Sequence, residues 1–147
     1  MKIKDILLPG LKTVSVEASM AEAEKILREH NFRHLPVSDG KKLVGIISDR
    51  DIQRATTMII GPDNKSQAVI QPHKKVSEYM SSPIHKMNIN GPLDGLVREM
   101  ISRKVSSFII EDQGTDVGII TTEDLLILLL DKLQAAQGPL GKLFRKK

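Results

Sequence analysis

Cysteine and tryptophan are absent from the 147 residues, and other aromatics are rare: three Phe and one Tyr. Without Cys there is no disulfide framework, no thiolate chemistry and no Cys-based zinc site, an absence that fits a cytoplasmic protein. Without large rings, the core has to be assembled from Ile, Leu, Val, Met and Ala. Long hydrophobic runs are missing too. The longest, LLILLL at 125–130, lies between Asp124 and Asp131 and falls far short of the roughly 20 apolar residues that cross a bilayer. No membrane role is expected, and the run reads as a helix buried on most sides. The opening MKIKDILLPG holds only a short apolar cluster before Pro9 and Gly10, too short for a secretory signal.

An excess of charge along the body is absent as well. The formal net charge is +4, but the last ten residues, GPLGKLFRKK, contain four basic residues and no acid, which leaves 18 basic and 18 acidic residues in 1–137. A neutral body without a basic stripe interleaved with aromatics is a poor nucleic-acid surface, and the basic end reads as a solvated terminus. Four histidines (His30, His34, His73, His85) stand at spacings that match no metal motif, and there is no P-loop, no GxGxxG and no Ser/His/Asp order. Neither a catalytic residue nor a metal ligand is assigned.

What is present is a repetition. GIISDRDI (45–52) and GIITTEDL (118–125) lie 73 residues apart, and a shift of 73 aligns far more without a gap. IKDIL (3–7) falls on VSEYM (76–80), SMAEAEKILREH (19–30) on PLDGLVREMISR (92–103), and HLPVSDG (34–40) on SFIIEDQ (107–113). Such internal self-similarity implies a duplicated supersecondary unit. Its boundaries are read as residues 1–57 and 75–131, joined by a linker over 58–74 that is marked by Gly61, Pro62 and Pro72. Residues 132–147 are left as a helix end and basic tail.

Within each copy the pattern predicts β-α-β-β-α. A strand over Thr13–Val16 leads to Ser19, a good N-cap. The helix that follows places Met20, Ala23, Ile26 and Leu27 on one stripe. HLPV and LVGIIS read as strands around the SDGKK turn, and DRDIQRATT as a second helix. Continuous apolar strands of this kind are covered by helices rather than left half-exposed. One such unit buries little surface, so two are expected to pack about a pseudo-twofold axis, giving an α+β fold.

Two readings of the GII[ST]xxD motif stay open. In one, Ser48 and Thr121 cap the second helices, with Asp51 and Asp124 at the third position of a capping box. The preference of that box for Glu or Gln, and the glycine that opens the strand backbone to close approach, favour another. A helix N-terminus suits phosphate, and an acid one turn in can accept both hydroxyls of a ribose.

RHLPV (33–37) with GIISDRDI, GIITTEDL, and the lead-ins KDILLPGLKTVSVEAS and VSEYMSSPIHKMNINGP together resemble a tandem pair of CBS domains, a Bateman module. The resemblance spans about residues 3 to 130. It implies two β-α-β-β-α CBS repeats around a pseudo-twofold axis, with adenosine compounds (AMP, ADP, ATP, S-adenosylmethionine, NAD or cyclic dinucleotides) bound in the cleft between them as effectors rather than obligatory cofactors. It implies that Asp51 or Asp124 takes the ribose hydroxyls and that Ser48 or Thr121 reaches the phosphate side. The opposite repeat's first strand would complete each site. On this reading site 1 comprises Arg33, Ile46, Ser48, Arg50, Asp51, His85, Lys86 and Met87, and site 2 comprises Thr13, Val14, Thr121 and Asp124. The resemblance also favours a homodimer in which the helices after the motif take part, and a regulated partner protein that the sequence does not name.

The two sites are expected to differ. Arg33, Arg50 and Lys86 would gather in the first, with Arg54 extending the positive surface, whereas Ser106 and Glu123 occupy the positions of Arg33 and Arg50 in the second. One competent nucleotide site and one that is weak, empty or selective for a less charged ligand follow. The expected role is a non-enzymatic regulatory module. Its rivals are a dimerisation module without ligand, an enzyme acting on nucleotides, and a nucleic-acid binder that uses the tail.

Overall fold

The computed structural model describes residues 1–136. Two compact units account for them, residues 10–85 in one and residues 1–9 with 86 onward in the other. The units do not follow the repeats, because the first nine residues of the chain belong to the unit that holds the second repeat's sheet.

In the unit of residues 10–85, β1 (Val14–Ser15) runs parallel to β2 (His34–Ser38), which pairs antiparallel with β3 (Leu43–Ser48). Helix α1 (Met20–His30) starts at Ser19, whose Oγ accepts from Glu22 N at 3.1 Å while Glu22 Oε2 accepts from Ser19 N at 3.1 Å. This reciprocal box satisfies two donors that a helix start leaves without partners. Of the anticipated stripe, Met20, Ala23 and Leu27 are buried and Ile26 is partly buried, packed with Leu35, Val37 and Ile47 of the sheet. Helix α2 (Asp49–Ala55) follows β3 directly. It stops at Ala55 rather than running on through Thr56 and Thr57. The β-branched pair gives up helix readily, and the last carbonyls find other donors: Thr56 Oγ1 bonds Ile52 O at 2.7 Å and Lys74 Nζ bonds Ala55 O at 2.7 Å.

The stretch read as a connecting linker carries regular structure. β4 (Thr56–Ile60) and β5 (Ser66–Ile70) form an antiparallel hairpin. Its GPDNK loop is closed by Gly61 N to Lys65 O at 2.9 Å, with Asn64 in the left-handed region at φ 59°. Asn tolerates that region better than most residues. After the hairpin, the single turn α3 (Val76–Tyr79) packs Val76 and Tyr79 into the same core as α1.

The other unit repeats the arrangement. β6 (Lys86–Asn88) is parallel to β7 (Ser107–Asp112), β7 is antiparallel to β8 (Thr115–Thr121), and α4 (Leu93–Arg103) covers them. The core combines Leu93, Leu96, Met100, Phe108, Ile110 and Ile120 with Ile3 of the chain's first turn. Helix α5 (Thr122–Ala136) overturns one expectation. The LLILLL run was read as buried on most sides, yet α5 contains no buried residue, and Leu126, Ile127, Leu129, Leu130 and Leu133 are each more than half exposed. Six consecutive apolar residues circle the helix, and one sheet can cover only one side of it. The basic tail over 138–147 lies outside the described residues. Among the described residues no helix is long and apolar enough to cross a membrane.

Each lead-in therefore docks on the sheet of the other copy. Ile3 and its counterpart Val76 are both fully buried, one in each core. Their backbones are held alike, Ile3 N by Gly91 O at 3.0 Å and Val76 N by Ala18 O at 2.9 Å. Replacing a fully buried Ile by Ala removes three methyl or methylene groups from a packed interior, a loss of about 2–5 kcal/mol. Urea denaturation of Ile3→Ala is expected to show a loss in that range. A shift below about 0.5 kcal/mol, the level of ordinary surface substitutions, would mean that the first nine residues are an unpacked terminus.

Candidate functional site

The motif strands β3 and β8 each carry a glycine, Gly45 and Gly118, and each glycine faces a lead-in. A methyl group on Gly45 would lie 2.6 Å from Met80 Sδ and 3.0 Å from Ser81 O, and one on Gly118 would lie 2.7 Å from Leu7 Cδ1. Leu7 and Met80 are themselves 73 residues apart. The glycines had been read as openings for another molecule; the space is taken by the chain's own lead-ins. In the first repeat the backbone closes further, Ile46 N bonding Ser81 O at 3.0 Å and Ser81 N bonding Ile46 O at 2.9 Å.

At the end of each motif strand the carboxylate turns back on its own helix start. Asp51 Oδ2 accepts from Ser48 N at 2.8 Å and Ser48 Oγ at 3.0 Å. Asp124 Oδ2 accepts from Thr121 N at 2.7 Å and Thr121 Oγ1 at 2.9 Å. Both acids thus serve as the return arm of a capping box, so the structural reading of the motif holds. It leaves one oxygen of each carboxylate uncommitted to the box. In the first junction Oδ1 takes Arg54 Nη1 at 3.0 Å, and the Asp51 side chain is only 8% exposed. In the second, position 54 is matched by Ile127, and Asp124 Oδ1 accepts from no described residue. The junctions are pinned from the preceding strand in the same way: Asp49 N bonds Arg33 O at 3.1 Å, and Thr122 N bonds Ser106 O at 2.9 Å.

Charge separates the two. Arg33, Arg50 and Arg54 stand against Asp49 and Asp51 at the first junction, whereas the matching positions at the second are Ser106, Glu123, Ile127, Thr122 and Asp124. Arg33 is held by Asp49 Oδ2, at 3.2 Å from Nε and 3.1 Å from Nη2. The guanidinium of Arg54 lies 5.7 Å from the centre of the Tyr79 ring, a cation–π distance. Arg50 is exposed and forms no ion pair with a described residue.

The remaining expected residues are spread over both units. Thr13 is exposed at the start of β1, and Val14 is buried in the core of the first unit. His85 is half-buried at the end of that unit. Lys86 and Met87 belong to the other, where Lys86 Nζ bonds both carboxylate oxygens of Asp116 at 2.7 and 2.9 Å, and Met87 packs on the core. The ammonium of Lys86 therefore already has an anionic partner. Two relations escaped the sequence reading, Asp49 with Arg33 and Arg54 with Asp51. Both carry a signal: antiparallel pairing of HLPV with GIIS brings residue 33 beside residue 49, and an acid and a base three apart on a helix are neighbours. Among the described residues no group of three or more His, Asp or Glu could hold a metal ion.

Duplicated β-α-β-β-α units with a hydroxyl and an acid at each strand-to-helix junction agree with an independent match. Residues 3–57 and 76–131 each fit the CBS domain. The chain belongs to the CBS-domain family. This CBS pair is 30% identical over 125 residues to the CBS domain-containing protein YhcV of Bacillus subtilis, with 85% of this chain and 83% of YhcV covered. It is 33% identical over 125 residues to L-aspartate semialdehyde sulfurtransferase of Methanocaldococcus jannaschii, where it covers 84% of this chain and spans only 22% of that protein. The crystal structure of the CBS domain pair of protein MJ0100, in complex with 5′-methylthioadenosine and S-adenosyl-L-methionine, superimposes with a TM-score of 0.70 at 32% identity, covering 88% of this chain and 99% of that one.

The capping role of Asp51 has a measurable weight without any ligand. Asp51→Ala leaves the Ser48 amide and Arg54 without their acceptor, and a drop of about 1–2 kcal/mol in unfolding free energy is expected. Asp51→Asn, which keeps an acceptor at the cap, is expected to lose less than half of that in the same denaturation experiment.

Proposed function

We propose that this CBS pair is a non-enzymatic regulatory module that binds adenosine compounds at the Ser48–Asp51 and Thr121–Asp124 junctions. The observation that carries the reading is the duplicated junction, a hydroxyl and a carboxylate at the start of a helix, in a chain 32% identical to a CBS pair crystallised with two adenosine ligands. A carboxylate oxygen left over from the capping box suits a ribose diol. The helix N-terminus and the arginines of the first junction suit phosphate.

Their unequal charge supports a division of ligands. The first junction, with three guanidinium groups, favours an anionic nucleotide of the AMP, ADP or ATP type. The second, with Glu123 beside Asp124 and no arginine at the matching positions, favours an adenosine compound without phosphate. A ligand acts as an effector only through unequal affinity for two states of the protein, and a partner protein would read the difference.

We further propose a homodimer formed through α5. The support is the helix itself: its outward leucines and Ile127, together with Ile101 of α4, are more than half exposed. Of these, Ile101, Leu126 and Leu129 line a groove of about 510 Å³ between α4 and α5, together with Val97, Met100 and Leu125. A contiguous apolar patch of this kind is rare on a monomer's surface. A second copy offers the same face, so the contact can close on itself.

A thermal-shift panel of AMP, ATP, S-adenosylmethionine, NAD and cyclic dinucleotides tests the ligand reading. At about 100 times its dissociation constant a ligand stabilises by roughly 2.7 kcal/mol, several degrees in melting temperature. AMP or ATP is expected to shift wild type and Asp124→Asn but not Asp51→Asn. No shift with any compound defeats the proposal. Separately, Leu126→Glu with Leu130→Glu is expected to turn a dimer into a folded monomer in sedimentation velocity. A wild-type chain that sediments as a monomer would remove α5 as the contact.

A further inference from the structure

The two oxygens of Asp51 are not equivalent, and the difference makes Arg54 more than one additional positive charge. Oδ2 is committed to Ser48 N and Oγ, so a ligand could take it only by opening the start of α2. Oδ1 holds a single partner, Arg54 Nη1 at 3.0 Å, whose side chain is 64% exposed and rests over Tyr79. Oδ2 already accepts two hydrogen bonds, so a diol that reaches Asp51 arrives at Oδ1 and competes there with that guanidinium.

We infer that Arg54 is a specificity residue that makes the first junction demand a phosphate on its ligand; the inference rests on the reading that Asp51 takes a ribose diol. An uncharged nucleoside exchanges an ionic hydrogen bond for a neutral one and leaves the guanidinium without an anion. A nucleotide gives the displaced guanidinium a phosphate, to which Arg binds in a bidentate, charge-assisted manner. The Tyr79 face offers the side chain a surface to keep while its head group changes partner. Arg50 does not discriminate in this way. It holds no carboxylate, so it adds to phosphate affinity and leaves nucleoside binding unaffected. The second junction is the built-in contrast, because Ile127 stands where Arg54 does and Asp124 Oδ1 accepts from no described residue.

The test is isothermal titration of the full chain with AMP and with adenosine, in an Asp124→Asn background so that only the first junction reports. Arg54→Met is expected to strengthen adenosine binding about two- to fivefold, the worth of a solvent-exposed ion pair, and to weaken AMP about tenfold. Arg50→Met is expected to weaken AMP and leave adenosine unchanged. Arg54→Gln, which keeps the length without the charge, is expected to repeat the Met result, and ligand-free melting temperatures verify that each variant is folded. If AMP binds but neither Arg54 variant gains affinity for adenosine, the specificity role is overturned and the nucleotide reading stands. If no protein binds either compound, the nucleotide reading fails and takes the inference with it.

Discussion

Ile3 and Val76 sit at the start of their repeats, and both are wholly withdrawn from water, each in the core built around the other copy's sheet. A sheet of three short strands under one helix buries too little apolar surface to hold itself together, which is the general difficulty of very small domains. The docked lead-in adds a further layer of side chains to each core. It also explains why both motif strands carry a glycine, since Gly45 and Gly118 clear the space for Met80 and Leu7. Everything at the strand-to-helix junctions is positioned by strands whose edges these lead-ins cover.

At those junctions a single carboxylate closes the helix start and, on the proposed function, also receives the ligand. Its tie to the amide and hydroxyl three residues earlier starts the helix. The oxygen left over is the one that can meet a ligand. The short arm of Asp, compared with the longer Glu, keeps the carboxylate next to the helix start. Structural and ligand-binding readings of the motif are therefore compatible, and around the shared carboxylate the two repeats diverge in charge and at the second oxygen. One has an arginine there; the other has an isoleucine one turn on and an acid at the neighbouring position.

The repeat, the α+β class and the order of elements within each repeat were legible because they rest on local patterns: the apolar stripe of α1, the Ser19 cap and the β-branched strands around each turn. The capping box was legible too, from spacing alone. Three things were not. Docking of the lead-ins on the opposite copies is a long-range choice that IKDIL and VSEYM do not encode locally. The hairpin over Thr56–Ile70 was hidden by Pro62 and its polar loop, although TTMII and AVI carry β-branched residues on both sides of GPDN. The exposure of α5 contradicted a reading based on hydrophobicity, since apolar composition states what a helix prefers and not what is available to cover it. Of the basic residues gathered by sequence, Arg33 and Lys86 proved to be held by Asp49 and Asp116, acids whose partners depend on strand pairing.

The exchanged lead-ins also bear on what the chain tolerates when divided. A fragment carrying the first copy alone would own a hydrophobic hook, Ile3 with Leu7, and a vacant socket at Gly45 shaped for its counterpart Met80. The hook of one fragment resembles the plug that the socket of another lacks, so severed copies are inclined to swap arms and pair rather than stand singly. Each copy borrows part of its core from the other's lead-in, so the smallest piece that keeps both cores whole is the duplicated chain.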